Sequence, residues 1–368
     1  MPFNSKILFI LPTLSAGGAE NYALRFIKHY LNDFEFHALS VNENKGDLYE
    51  EFKKLDIKLF YQSIGYFNPR KAQSFYRLIK KHNYDTVVSF TGNFSGLPLT
   101  LAKYAGVKNR IVFHRRSTNA FGNNPIKLFY NKVSNLLLRK NATKILSNSE
   151  TALKNFYNNA YQRNSKYKII KNGVSAADFN STISKEEARK KLSLPLNDFI
   201  IGHVGRYDPA KNHETIFKVI KQLKEQDKMF SFVFCGKGTD SDLFSNELKK
   251  YGIQDVVIAL GLISNVPVLY KALDVFYFPS ITEGQPNALI EAVISGLPVV
   301  TSNIEPILDS LPDNAKELTL PPTDVLKASE ALSFFLNNTV EKKKYIHQQW
   351  AIKNFDVTTN FNEFKKLL

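Results

Sequence analysis

The residues with the clearest chemistry are two carboxylates, Glu283 and Glu291, eight positions apart in the run Thr282-Glu283-Gly284-Gln285-Pro286-Asn287-Ala288-Leu289-Ile290-Glu291. An ionised carboxylate accepts hydrogen bonds from two hydroxyls at once, which suits it to sugars. Pro286 is expected in a first helical turn and Gly296 just past the last, so Glu283 falls on a loop and Glu291 inside a helix. Eight helical residues rise about 12 Å, the scale that separates the hexose from the ribose of a nucleotide sugar. The amides opening that helix would face the diphosphate between them. Either glutamate alone would be read as an ordinary surface charge.

A second group is Val204-Gly205-Arg206 followed by Lys211-Asn212, a strand end with two cations ahead of a helix. A departing diphosphate gains negative charge in the transition state, and fixed cations lower that barrier more than they stabilise the ground state. Ser15-Ala16-Gly17-Gly18-Ala19-Glu20 follows the first apolar run and opens a helix; its two glycines let the backbone approach a phosphate or a sugar. It lacks the third glycine of a dinucleotide fingerprint, which disfavours NAD. His114, at the end of the run Arg110–Phe113, can bond a hydroxyl or move a proton, and a structural role fits it nearly as well. Asp240-Ser241-Asp242 is read as a helix cap of aspartates, and no metal is required.

Length and charge bound the remainder. A chain of 368 residues suits two domains. Its 43% hydrophobic and 23% charged residues exclude disorder, and its longest apolar stretches are too interrupted to span a bilayer. The start of the chain runs into Ile7–Leu11 and is expected to be a first strand, not a signal peptide. The single cysteine, Cys235, excludes an intramolecular disulfide and fits a reducing cytoplasm, with packing as its expected role. The net charge of +15 is uneven: residues 51–170 carry 22 Lys and Arg against 4 Asp and Glu, whereas residues 171–368 carry 23 against 24. A basic half could meet anionic lipid, a phosphorylated acceptor or nucleic acid, or simply be solvated. No nucleic-acid motif accompanies it, so nucleic acid is not expected as a partner.

The elements that must position these residues follow from hydrophobic patterning. Strands are expected at 7–11, 35–41, 86–90, 110–113, 143–147 and 168–170, then at 200–204, 231–235, 256–259, 275–278 and 298–301, with helical spacing between them. The fold class is α/β: two Rossmann-like domains in tandem, facing each other across a cleft that would hold the ligand. The expected division is 1–170 and 171–348, hinged near Lys171-Asn172-Gly173-Val174, with a C-terminal helix at 349–368 packing back on the first domain.

These residues resemble the retaining GT-B glycosyltransferases of family 4, also called group 1 glycosyltransferases. The resemblance covers nearly the whole chain. It rests on Glu283 to Glu291, Gly17-Gly18, Gly205-Arg206 with Lys211-Asn212, Asn172-Gly173-Val174, and Gly261 ahead of Pro267-Val268-Leu269-Tyr270. It implies a nucleotide-sugar substrate, uridine diphosphate by preference, with no cofactor and no metal. It further implies that Arg206 and Lys211 bind the donor phosphates, Glu283 the transferred sugar and Glu291 the ribose. Gly17 and Gly18 would lie at the diphosphate and Leu262 and Ile263 at the base, with Gly284, Gln285, Asn287, Ala288 and Leu289 completing the donor site. His114 would stand with Glu283, Arg206 and Lys211 as catalytic, although two arginines follow it where relatives often carry a small or acidic residue. Arg115, Arg116 and Asn93 are the candidates for the acceptor, a glycan or lipid-linked saccharide. The same resemblance gives the basic half a meaning as a flank for an anionic membrane, with Phe121–Lys140 as the candidate docking segment through Ile126, Phe129, Tyr130, Val133 and Leu137 among Lys127, Lys132, Arg139 and Lys140; an ordinary amphipathic helix packed on its own sheet fits that segment at least equally well. It places the enzyme in the cytoplasm, peripheral to the membrane, in bacterial surface-glycan assembly. The rival readings are a GT-B nucleotide-sugar epimerase and a non-catalytic binding module: the first would consume donor alone, the second nothing.

Overall fold

The strands carry apolar residues on consecutive positions because both sheet faces are covered. Lys6–Leu11 is buried at every residue after the first, the mark of a parallel strand between two helical layers. The computed structural model describes residues 5–15, 17–42, 45–65, 68–115, 125–179, 183–226, 229–337 and 341–368, leaving aside the side chains of 125–127, 160 and 341–342.

The chain divides into two compact units, Met1–Asn172 with Thr359–Leu368, and Gly173–Thr358. The first contains β1 (Lys6–Leu11), β2 (Glu35–Ser40), β3 (Lys58–Tyr61), β4 (Thr86–Ser89), β5 (Asn109–His114), β6 (Lys144–Ser147) and β7 (Tyr167–Ile169), in the spatial order β3-β2-β1-β4-β5-β6-β7. The second contains β8 (Phe199–Val204), β9 (Phe230–Cys235), β10 (Val257–Ala259), β11 (Val275–Phe278), β12 (Val299–Ser302) and β13 (Thr319–Leu320), in the order β10-β9-β8-β11-β12-β13. Every pairing between these strands is parallel. Both orders are doubly wound, reversing at β1/β4 and at β8/β11, where loops from neighbouring strand ends diverge and leave room for a ligand. β3 and β13 escape the sequence reading because they are short edge strands, none of whose residues is fully buried.

The segment 349–368 does not act as one helix. Gln348–Phe355 stays with the second unit: Gln348 Nε2 donates to Ile294 O at 2.8 Å, and Ala351 and Phe355 lie in that core. Only the end crosses. Phe361 and Phe364 join the aromatic core around Phe9, Tyr22 and Phe26, where each buried ring contributes about 1.5–3 kcal/mol. Asn109 Nδ2 then donates to Leu367 O at 2.6 Å, and Thr86 Oγ1 to Leu368 O at 2.9 Å.

In the second unit β8 and β11 are pinned at their amino ends. Asp274 takes Arg189 at 2.7 Å, Lys185 at 2.6 Å and the amide of Ile200 at 2.8 Å, while Arg189 also donates to the carbonyls of Ala272, Leu196 and Asp198. This satisfies a buried guanidinium and fixes the strands whose other ends carry the candidate site. Cys235 ends β9 inside the core, its thiol pushed up to about 11 by burial, so it stays protonated. Among the described residues no helix is long and apolar enough to cross a membrane.

Candidate functional site

In the second unit the site grows from the β8/β11 switch point. After β8 the chain makes a tight loop in which Asp208 Oδ1 accepts from Ala210 N at 2.9 Å, closing a 3₁₀ turn over Pro209–Lys211. Asn212 turns left-handed at φ 58° and donates from Nδ2 to the carbonyls of Pro279 and Pro322, at 3.1 and 2.7 Å. Ile281 N donates to Ala210 O at 3.0 Å, so the loop after β11 is tied to the loop after β8. Lys211 and Glu283, 72 positions apart, thereby meet with Nζ 2.5 Å from Oε1, and the ammonium lies 5.0 Å from the centre of the Phe278 ring. Both side chains are mostly buried, so the ion pair stabilises both charges where water reaches them poorly.

Glu291 is held separately. Its helix runs Asn287–Ile294 with Pro286 at the cap position, so Pro286 precedes the first turn and only half of the step from Glu283 is helical. The expected 12 Å rise therefore does not apply. Tyr270, fully buried, donates to Ala288 O at 3.0 Å and to Glu291 Oε2 at 3.2 Å, clamping the carboxylate to the helix opening. Gly284 is half-buried, and Gln285 and Pro286 are buried. Asn287 and Ala288 are half-buried, whereas Leu289 packs in the core, which leaves only its main chain for a ligand. Arg206 is exposed, and its guanidinium reaches Asp208 at 3.9 Å.

Three glycines shape the same edge. Gly205 N donates to Cys235 O at 2.9 Å and Gly236 N to Gly261 O at 2.8 Å, aligning the ends of β8, β9 and β10. Gly236 has φ +145° and a side chain there would run into the Gly205 carbonyl. Leu262, largely exposed, and Ile263, half-buried, follow on this edge. The Asp240–Asp242 run is a cap of a different kind from the one expected: Ser241 Oγ, not an aspartate, accepts from Phe244 N at 3.3 Å.

In the first unit the candidates sit at the ends of β1, β4 and β5. Gly17 caps the helix Gly18–His29 with no side-chain hydrogen bond, and Gly18 O accepts from Arg115 Nη2 at 3.4 Å, which brings these two together. Arg115 lies 4.2 Å over the Tyr22 ring, and among the described residues its buried Nε and Nη1 find no hydrogen-bond partner, nor do Arg25 Nε and Tyr22 Oη. Burial holds its guanidinium down to about 10, still charged at neutral pH. Unpaired N–H groups on a desolvated cation are costly unless an acceptor arrives. Arg25 and Tyr22 were missed by sequence reasoning, as was Tyr270; helical spacing marks such residues as core and shows no direction for the polar atom. Asn93 lies in the 3₁₀ turn Gly92–Ser95, its carbonyl accepting from Ser134 Oγ at 2.5 Å. Arg116 lies outside the described residues, as do Phe121 and the side chains of Ile126 and Lys127. Phe129 and Val133 are exposed, and Tyr130 and Leu137 half-buried.

His114 is buried, stacked on Phe156, with Nε2 2.7 Å from Tyr157 Oη. Burial depresses it to about 4, so it is neutral at pH 7 and brings no positive charge to a phosphate. His213, at the start of the helix after Lys211, is likewise lowered by burial to about 4. For each, the unfolded pKa near roughly 6.5 exceeds the folded one, so the unfolded chain binds the extra proton. Stability is complete above about pH 6.5 and falls toward pH 4, by on the order of 3 kcal/mol per residue. The urea midpoint is expected to be lower at about pH 5 than at pH 7; a flat profile would refute this assignment.

Comparison with known proteins accounts for both units. The family model described as Glycosyltransferase Family 4 matches residues 16–178, and that described as Glycosyl transferases group 1 matches residues 184–350. The chain is 30% identical over 370 residues to the capsular polysaccharide biosynthesis glycosyltransferase CapH of Staphylococcus aureus, covering 98% of each. It is 25% identical over 377 residues, 99% of this chain and 98% of the relative, to a Campylobacter jejuni α-1,4-N-acetyl-D-galactosaminyltransferase whose name gives a PP-undecaprenol-linked saccharide as its acceptor. The crystal structure of Anabaena HepE in complex with UDP and glucose superposes with a TM-score of 0.82 at 18% identity, over 99% of both chains, and shows the GT-B fold. The chain belongs to the group 1, or family 4, glycosyltransferases.

Proposed function

We propose that this glycosyltransferase moves a hexose from a UDP-sugar to a lipid-linked saccharide, with retention of the anomeric configuration and without a metal, in the assembly of a bacterial surface polysaccharide. The observation that carries the reading is the Lys211–Glu283 pair at the switch point of the second sheet. Donor binding exchanges that contact for two better ones. Lys211 turns to a diphosphate oxygen with Arg206 beside it, and Glu283 accepts from sugar hydroxyls. Glu291, oriented by Tyr270, takes the ribose hydroxyls. The main chain of Gly284, Gln285, Asn287, Ala288 and Leu289 lines the diphosphate side, and that of Leu262 and Ile263 the base. Gly17 and Gly18, at the opening of the helix Gly18–His29, offer main-chain amides to phosphate.

In the transfer step the bond from C1 to the diphosphate oxygen breaks and a bond from C1 to the acceptor oxygen forms on the same face. The acceptor proton passes to the departing phosphate oxygen, so no side-chain nucleophile is needed. Lys211 and Arg206 neutralise the charge that grows on the leaving group. His114, neutral and bonded to Tyr157, acts by positioning the end of β5. Arg115, with its unpaired N–H groups, anchors the phosphate of the acceptor, and Asn93 lies on the neighbouring loop.

CapH names capsular polysaccharide, the Campylobacter relative names a diphospho-linked polyprenol acceptor, and HepE was crystallised with UDP and glucose; together they support the acceptor class and the base. Such an acceptor would place the enzyme at the cytoplasmic face of the membrane. Thermal unfolding with UDP, GDP and ADP, each with and without EDTA, tests the donor. UDP at 100 times its dissociation constant is expected to stabilise by about 2.7 kcal/mol, with or without EDTA. No shift with any nucleotide would contradict the donor site, and a shift abolished by EDTA would contradict metal independence.

A further inference from the structure

β8 and β11 stop pairing before either strand ends. Their register closes at Gly202 with Phe276, while β8 stays with β9 as far as Val204 and β11 stays with β12 as far as Phe278. The two strands therefore part at His203, and the loops carrying Lys211 and Glu283 leave from either side of that opening. His203 fills it. The ring is fully buried, and its Nδ1 lies 3.0 Å from Tyr277 O on the departing strand. A carbonyl can only accept, so Nδ1 carries the hydrogen and Nε2 is a bare lone pair. Burial holds the imidazole well below its ordinary range, so it is neutral at pH 7. A side-chain bond thus ties β11 to β8 where their main-chain pairing has ended.

The other edge of the ring faces the lysine. A Cβ at Gly205 would stand 2.9 Å from His203 Nε2 and 3.2 and 3.3 Å from Lys211 Cγ and Cδ, so the imidazole edge and the lysine stem converge on a position that carries no side chain. The imidazole also lies nearly parallel to the Phe278 ring, with 5.7 Å between centres and 21° between planes, and the Lys211 ammonium stands over that same ring. Imidazole, phenyl ring and bare glycine form the floor beneath Lys211. Among the described residues His203 Nε2 finds no hydrogen-bond partner. An unmet acceptor in a core is costly, and a leucine of similar volume would avoid that cost, so packing alone does not account for a histidine here. We infer that His203 is a positioning residue for Lys211. It holds the ends of β8 and β11 at one spacing and, presenting a lone pair instead of a charge, gives the ammonium a floor that does not repel it. The inference rests on the reading of Lys211 as the cation that binds the donor diphosphate: Lys211 touches the donor, and His203 acts through Lys211.

The test is UDP affinity by titration calorimetry, without acceptor, for the wild type, His203→Leu, His203→Asn, Lys211→Ala and His203→Leu/Lys211→Ala. Leucine keeps the volume and loses the donor, whereas the asparagine amide stands where Nδ1 stands and can renew the bond to Tyr277 O. His203→Leu is expected to weaken UDP binding by about 3- to 10-fold, and His203→Asn to stay within about twofold of the wild type. The double variant should bind no more weakly than Lys211→Ala alone, because nothing is then left to position. Nitrogen NMR of the wild-type histidine rings at pH 7 reads the tautomer without any variant having to fold, with His203 expected to be protonated at Nδ1 and bare at Nε2. A proton on Nε2, a His203→Leu chain that binds UDP like the wild type, a His203→Asn chain no better than His203→Leu, or losses that simply multiply in the double variant would overturn the inference. If Lys211→Ala itself binds UDP like the wild type, the donor reading has failed and this inference falls with it, so the two failures are told apart.

Discussion

Lys211→Ala is expected to lower kcat/KM for sugar transfer by about 10²- to 10³-fold, the cost of removing one fixed donor from a charge that develops in the transition state. Glu283→Ala is expected to fall in the same range. The two side chains form one device, a carboxylate and an ammonium 2.5 Å apart in a mostly buried setting. Removing either breaks the Lys211–Glu283 ion pair in a mostly buried setting, at about 1–3 kcal/mol of stability. The double variant should therefore be little worse than either single in activity, and more stable than the sum of the two losses implies. Rates with a saturating acceptor, together with urea unfolding, check all three variants. A Lys211→Ala enzyme within about threefold of the wild type in kcat/KM would remove Lys211 from the mechanism.

Gly236→Ala is the second large effect, and it acts through backbone. At φ +145° an L side chain is strained, and the added methyl would overlap the carbonyl oxygen of Gly205. Strain and overpacking together cost about 2–6 kcal/mol. That lowers the melting temperature by about 4–24 °C for a unit of this size. The same collision pushes Gly205 and Arg206 away from the end of β9, so UDP affinity should fall with stability. Gly18→Ala is the control for stability, because a methyl at Gly18 meets no atom within 4 Å. Equal melting temperatures for the two variants would mean that the ends of β8 and β9 yield more easily than their contacts imply.

The sheets were legible in the sequence because strands buried on both faces leave unbroken apolar runs, as in Ile7–Leu11 and Val275–Phe278. The edges were not: Lys58–Tyr61 and Thr319–Leu320 are too short and too wet to stand out. The meeting of Lys211 with Glu283 was legible only through topology, since a doubly wound order makes β8 and β11 neighbours despite 72 intervening positions. Side-chain direction was the hidden quantity elsewhere. Nothing in the spacing of Tyr270 shows that its hydroxyl holds Glu291, or that Arg115 keeps two buried N–H groups unpaired. The helix Pro125–Asn141 shows the limit most clearly: its leucines imply an inward apolar face, but the bonds from Ser134 and Asn141 decide the roll and leave Leu128 and Leu136 exposed.

The central claim is retentive transfer from a UDP-sugar that needs an acceptor and no metal. It is tested most directly by proton NMR of the enzyme in EDTA with UDP-hexoses, with and without a diphospho-polyprenol saccharide. The account predicts that donor is consumed only when acceptor is present, and that the new glycosidic bond keeps the donor's anomeric configuration. Consumption of donor alone, as by an epimerase, or a product of the opposite configuration would contradict it.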